Sequence, residues 1–411
     1  MEDNAMIHFL TINPDTFLWI EDKYGLLYDS GNFTSYRFRL TPQILRLCDK
    51  LKDPDNLYSV EINSEDIDGE ILAFITHVTE KGMGKIHDNS SDKYLISFPP
   101  LLNIQHSWER IKASGDDAYC EILPYLTSLT FYIGGRCPVM DYYRQTTYPV
   151  CSKEFMPSKR ILDFLSEASS PYIKDIRIVF SNIKDYQDLS SLLEGLRKFK
   201  NAVTLYVRAE DMKNAENVTP LADKKINLAV LHVAPFTADL SQQPDAKHIF
   251  LVTSDKEYIE VNKICCDNDR VVTDIVPIYN GENADFFHDN VFLSEYEILN
   301  SKLERRTVFA HMSVNTGFFG KLTFMPDGKA YAGSASDIPI GNINDSIYDL
   351  ISHELERNTA WRRTRDTHKQ CKTCMYRYLC PSPSIYEEVM GLECICMDLK
   401  EKGSDIEDIL P

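Results

Sequence analysis

A mixed α/β fold is predicted, in which a partial β/α barrel lies between a small N-terminal α+β module and a cysteine-rich C-terminal domain. Three observations predict it. Residues 120–300 alternate β-rich runs with helical stretches, the pattern of a parallel sheet with right-handed crossovers. Residues 1–90 read instead as three short strands followed by helices. Five of the eleven cysteines, Cys371, Cys374, Cys380, Cys394 and Cys396, fall within 26 residues near the C-terminus. The 411 residues suit two to four domains at about 100–200 residues each. The divisions expected are a module at 1–90, a linker at 91–119, a barrel at 120–315 and a cysteine domain at 316–411.

The N-terminal module is built from 17–20 and 25–28, a hairpin across the polar stretch 21–24, with a third alternating strand at 35–40. Thr41 caps a helix that has Pro42 in its first turn. Ile71, Leu72, Ile75 and Val78 make one apolar face of a second helix, stopped at Gly82 and Gly84. Three strands followed by helices is a winged-helix-like order. A DNA-binding winged helix needs a basic recognition helix, and 64–81 is acidic.

In the barrel, strands are expected at 126–133, 176–180, 203–207, 226–233, 249–253 and 271–279. Helices are expected near 159–168 and over 185–200, where Leu189, Leu192, Leu193 and Leu196 share a side. Beyond it, 320–331 reads as strand, Pro-Asp-Gly turn and strand. A turn at 340–343 and a helix at 346–357 lead to Trp361 and the cysteines.

Charge limits the partners. With 44 basic and 62 acidic residues the net charge is −18, which disfavours nucleic acid and anionic membranes. No apolar run reaches the roughly 18 residues of a membrane span. The N-terminus has acids where a signal peptide carries lysine or arginine, so a cytoplasmic protein is expected. In a reducing compartment clustered cysteines point to metal ligation before disulfides. Cys371, Cys374 and Cys380 form C-x2-C-x5-C, and Cys394 or Cys396 completes four thiolates. Thiolate-only ligation suits one [4Fe–4S] cluster or one zinc equally. Arg357, Arg362, Arg363, Arg365, Lys369, Lys372 and Arg377 form a basic run, read as a solvated or charge-balancing face. His106, His248, His311 and His353 have no metal or triad spacing.

These motifs carry three resemblances. Residues 1–90 resemble the PqqD-like recognition element of ribosomal-peptide maturation systems. That resemblance implies that a precursor leader peptide adds as a strand beside 35–40 and packs on the last helix, with Tyr36, Phe38, Leu40, Leu72 and Ile75 as contacts. The loop after strand 126–133, from Gly134 and Gly135 to Arg144, resembles the C-x3-C-x2-C loop of radical SAM enzymes. Here the matching positions are Cys137, Asp141 and Arg144. Two of three ligands are replaced, so no SAM-binding cluster is expected there. The glycine-rich segment such enzymes place after the second strand reads Phe180, Ser181, Asn182, Ile183. The order of hairpin, turn, helix, Trp361, C-x2-C-x5-C and a later cysteine resembles the SPASM domain. It departs from that pattern at Ala330–Gly333 and at Ser384, where cysteines are expected.

Together they resemble a pseudo-radical-SAM protein of Bacteroidales ribosomal-peptide modification systems. The implied function is a non-catalytic partner that binds a precursor leader and supports an active radical SAM maturase. The alternative is a peptide-modifying oxidoreductase that depends on the SPASM cluster.

Overall fold

The computed structural model describes residues 7–63, 69–88, 97–100, 113, 115, 122–137, 142–168, 170–212, 226–236, 240, 244–333 and 338–397. The N-terminal module opens with strand β1 (Ile7–Ile12), then β2 (Thr16–Glu21), β3 (Tyr24–Asp29) and β4 (Thr34–Arg39). Helix α1 (Pro42–Lys52) follows, capped by Thr41. Then come β5 (Ser59–Asn63), α2 (Gly69–Glu80) and β6 (Gly84–Asp88).

The winged-helix-like expectation accounts for the antiparallel sheet β2-β3-β4. It omits a second three-stranded sheet in the order β5-β1-β6. Both sheets close one core: Leu10, Ile12, Leu27, Phe38, Ile44, Leu47, Leu51, Val60, Phe74 and Val78 are buried together. Phe38 lies over Gly25 of β3, where a Cβ would stand 2.3 Å from its ring; only glycine admits that approach.

Among the described residues the central sheet has ten strands. Its expected members are β7 (Ser128–Gly135), β9 (Asp175–Phe180), β10 (Ala202–Arg208), β11 (Ile226–His232), β12 (Lys247–Val252) and β13 (Thr273–Pro277). These six are parallel in the order β13-β12-β11-β10-β9-β7. A short β8 (Ser152–Phe155) runs antiparallel to the end of β7. The crossover helices include α3 (Ser158–Glu167), α4 (Leu189–Leu196), α5 (Ala209–Met212) and α6 (Asp255–Asp267). The helix expected over 185–200 is therefore shorter, with a 3-10 turn (Ile183–Asp185) ahead of it.

Helices α7 (Ala284–Asn290), α8 (Glu295–Leu299) and α9 (Arg305–Ser313) lead to the C-terminal region. There β14 (Lys321–Phe324) pairs parallel with β7, and β15 (Lys329–Tyr331) and β16 (Gly341–Asn342) extend the same sheet. The turn expected at 340–343 thus contains a short strand. The sheet runs without a break across the expected division at 315. Helix α10 (Ile347–Arg357), Trp361, the cysteine segment and α11 (Ile385–Met390) complete the described chain. Trp361 is fully buried in the main core and donates from Nε1 to the Lys321 carbonyl at 3.0 Å. Among the described residues no helix is long and apolar enough to cross a membrane.

Candidate functional site

Three places carry the residues singled out above: the mouth formed by the carboxyl ends of the parallel strands, the thiol cluster and the β4 edge.

At the mouth, β7 ends on Gly134 and Gly135, whose φ values of 86° and 105° favour glycine. Cys137 follows, half-buried, and Asp141 lies outside the described residues. The chain re-enters as a 3-10 turn, Tyr142–Arg144. Tyr142 and Tyr148 are buried against Ala229 and Leu231 of β11 and Ile249 and Leu251 of β12. Those four residues lie on the sheet face turned away from α6, because Phe250 and Val252 face Val261 of that helix.

Gln145 fastens this loop across the mouth. Its Nε2 donates to the Tyr279 carbonyl at 2.8 Å, and its Oε1 accepts from the Tyr279 N–H at 2.6 Å. At the end of β10, buried Arg208 grips Asp211 with two bonds of 2.9 and 2.7 Å. Burial pushes the Cys137 thiol upward, and Arg208 opposes that rise. Cys137 and exposed Cys151 are the thiols on this loop among the described residues. Arg144 is a cation that stacks on Tyr143, 5.8 Å from its ring centre. These donors do not fit a cubane cluster, which needs three thiolates at this loop.

The thiol cluster is assembled from two arms. Tight turns set the first: the Cys374 N–H bonds the Cys371 carbonyl at 2.9 Å, and the Cys380 N–H bonds the Tyr376 carbonyl at 2.9 Å. The second arm is pinned by a parallel bridge between Leu293 and Cys396. The Cys396 thiol donates to the Cys394 sulfur at 3.3 Å. Bonds from Cys371 and Cys396 lower the Cys394 thiol below its usual range. Burial pushes Cys380 up to about 12.

Among the described residues no three His, Cys, Asp or Glu side chains are closed into a metal-holding set; the thiols stand as a hydrogen-bonded group. Their chemistry nonetheless fits a soft metal, with five sulfurs on two arms and a buried cation beside them. That cation is Arg365, 3.9 Å from the Cys371 sulfur. It also donates to the Pro381 carbonyl at 2.8 Å and to Glu387 at 2.6 Å.

Both departures from the SPASM pattern have a physical role here. Ser384 caps α11 in a capping box with Glu387. Ala330 is fully buried in the main core. Neither position offers a donor for a second metal.

At the third place, β4 pairs only with β3 among the described residues. The Leu40 N–H bonds the Lys23 carbonyl at 2.7 Å. With the register Gly25↔Phe38 and Leu27↔Tyr36, ladder alternation points Tyr36 and Phe38 backbone groups inward. Those of Ser35, Arg37 and Arg39 point to the open side. Tyr36 stacks on His77 of α2 at 5.0 Å. Leu72 of α2 is 54% exposed, whereas Phe38 and Ile75 are buried in the module core. Leu40 is half-buried. Of the five residues named from the resemblance, Phe38 and Ile75 belong to the module core and not to its surface.

The basic run is mixed: Arg357, Lys369 and Lys372 are exposed, and the others are held by the fold to differing degrees. Arg365 is buried, Arg377 pairs with Asp366 at 3.1 Å, Arg363 with Glu388 at 3.6 Å, and Arg362 bonds the Leu355 carbonyl at 2.7 Å. His248 bonds His232 at 2.9 Å under Phe250. His311 and His353 bond backbone carbonyls, and His106 lies outside the described residues. Sequence reasoning missed Gln145, Arg208, Asp211 and Glu295. An acid-rich chain offers no signal that singles out its few buried carboxylates.

No protein-family model matches the chain, and no curated protein matches it. Several solved structures are similar to it. Streptococcus suis SuiB bound to precursor peptide SuiA aligns at 12% identity over 95% of this chain and 99% of that one, with a TM-score of 0.47. SuiB bound to S-adenosylmethionine aligns at 13% identity over the same shares, with a TM-score of 0.44. Histidine-tagged anSMEcpe with bound AdoMet aligns at 13% identity over 62% of this chain and 87% of that one, with a TM-score of 0.40.

Proposed function

We propose that this chain is a non-catalytic partner in ribosomal-peptide modification. It captures a precursor leader peptide along the open side of β4 and serves a separate radical SAM maturase in a bacterial cytosol. One metal, a [4Fe–4S] cluster or zinc, is held by Cys371, Cys374, Cys380 and either Cys394 or Cys396. When bound, that metal closes the two thiol arms and supplies folding free energy to the C-terminal domain.

The filled mouth at the strand ends carries this reading. Tyr142 and Tyr148 are buried against β11 and β12 near the strand ends, and the Arg208–Asp211 pair acts on Cys137. Ligands of parallel sheets bind at the carboxyl ends of their strands, and here that position is taken by the chain itself. The open β4 edge and the exposure of Leu72 on α2 support the peptide-binding half. Backbone pairing along such an edge gives affinity, and alternate side-chain pockets give register.

Calorimetry tests the reading. Synthetic leader peptides from precursor genes neighbouring this one are titrated into the full chain. Binding at about micromolar affinity, together with faster product formation by a co-encoded maturase when this chain is added, supports it. Full maturase activity without this chain, and no peptide binding, would refute it.

A further inference from the structure

The sheet β2-β3-β4 has two working faces. Leu18, Ile20, Leu27, Tyr36 and Phe38 point into the module core, toward α1 and α2. Phe17, Trp19, Leu26 and Tyr28 point the other way, into a core shared with Met375, Tyr376, Tyr378, Leu379 and Cys380, against which Cys374 also packs. Two members of the thiol cluster therefore belong to the packing that supports the back of this sheet. Trp19 meets Tyr378 with ring centres 5.9 Å apart. The Met375 N–H, next to Cys374, donates to the Glu21 carboxylate at 3.1 Å.

One residue joins the open edge to this support directly. Arg37 exposes its backbone on the open side of β4 while its side chain turns to the back face. There it stacks over Tyr24 at 4.3 Å and donates to Glu295 at 3.1 Å. The same Glu295 oxygen accepts the Tyr376 hydroxyl at 2.5 Å. Glu295 lies two residues beyond Leu293, whose backbone bridges Cys396. One carboxylate is thus shared by the centre of the edge strand and the cysteine segment, two residues along the chain from the bridge to the second thiol arm.

We infer that metal binding at the thiols and strand capture at β4 are energetically coupled through Glu295. The inference rests on the metal-site reading above. Closing the thiol arms on a metal fixes Tyr376 and the segment after Leu293. That fixes Glu295, which holds Arg37 in the extended conformation an incoming strand requires. Coupling between sites is reciprocal, so an ordered β4 also favours the closed arms. The metal-loaded protein is then the peptide-competent one, and the metal acts on recognition with no part in bond making.

The probe is Zn2+ alone, added to the full chain prepared metal-free under reducing conditions. Bound zinc is counted by mass, and amide exchange is followed over residues 34–40. One zinc per chain with exchange at 34–40 slowed about tenfold is the expected result. In Glu295→Ala one zinc still binds, and exchange at 34–40 no longer responds. Arg37→Gln, which leaves Glu295 and its bond to Tyr376 in place, repeats that loss of response. Zinc bound one to one in the parent chain with unchanged exchange at 34–40 overturns the coupling and leaves the metal site standing. No zinc bound overturns both. A full response that survives in Glu295→Ala overturns the route through Glu295.

Discussion

Arg365 and Glu387 meet at 2.6 Å with 3% and 2% of their side-chain surfaces exposed, so the pair is sealed from water. Arg365 also holds the Pro381 carbonyl and faces Cys371, while Glu387 caps α11 through Ser384. One ion pair thereby ties together 365, 371, 381 and 384.

Breaking that pair on one side leaves the other charge buried. Arg365→Met keeps an apolar stem but strands Glu387, at a cost of about 3–5 kcal/mol. Urea unfolding of the metal-free chain checks this. Exposed Lys372→Met, lying one residue beyond Cys371, should change stability by less than about 0.5 kcal/mol.

The phase of β4 separates two proline variants. Arg39→Pro removes an outward N–H and leaves the β3 ladder whole, so the chain should fold and bind a leader peptide more weakly. Phe38→Pro removes an inward N–H and a buried ring from the module core, so the module should lose its fold. Circular dichroism and peptide titration on the two proteins distinguish these outcomes. Equal folding and equal binding in both would contradict the assigned phase.

His311 contributes a pH dependence of stability. Burial, foremost, and nearby Arg365 lower its affinity for a proton, while its Nδ1 bonds the Tyr378 carbonyl at 3.0 Å. The folded chain therefore takes up this proton less readily than the unfolded chain. The neutral imidazole's contribution is complete above the unfolded value near 6.5, and it is lost as pH falls below that value, because the unfolded state binds more protons. Stability measured from pH 7.5 to 5.5 should drop less steeply in His311→Gln than in the parent chain. Identical slopes would remove His311 from the account.

The alternation of 35–40 and the β/α rhythm of 120–300 were legible because burial on one face imposes a period on the residues. Strand β1 was not, since Ile7–Ile12 lies between two other strands of its sheet and shows no simple alternation. Strand β6 reads Gly-Lys-Ile-His-Asp, too short and polar to register. The faces of β4 could be read from the sequence, but the direction of its N–H groups depends on the hairpin register and the Leu40–Lys23 bond. The cysteine cluster announced itself through spacing. Arg365 could not be told apart within a run read as a solvated or charge-balancing face, because its partner Glu387 lies 22 residues away and only the fold brings them together.

The proposed non-catalytic role requires that the parallel sheet perform no radical chemistry, and reductive cleavage of SAM tests it most directly. The full chain is reconstituted with iron and sulfide, reduced with dithionite and given SAM, and 5′-deoxyadenosine is measured. The filled mouth and the lost ligands predict none above the level seen with Cys137→Ala. Turnover that requires Cys137 would contradict the account.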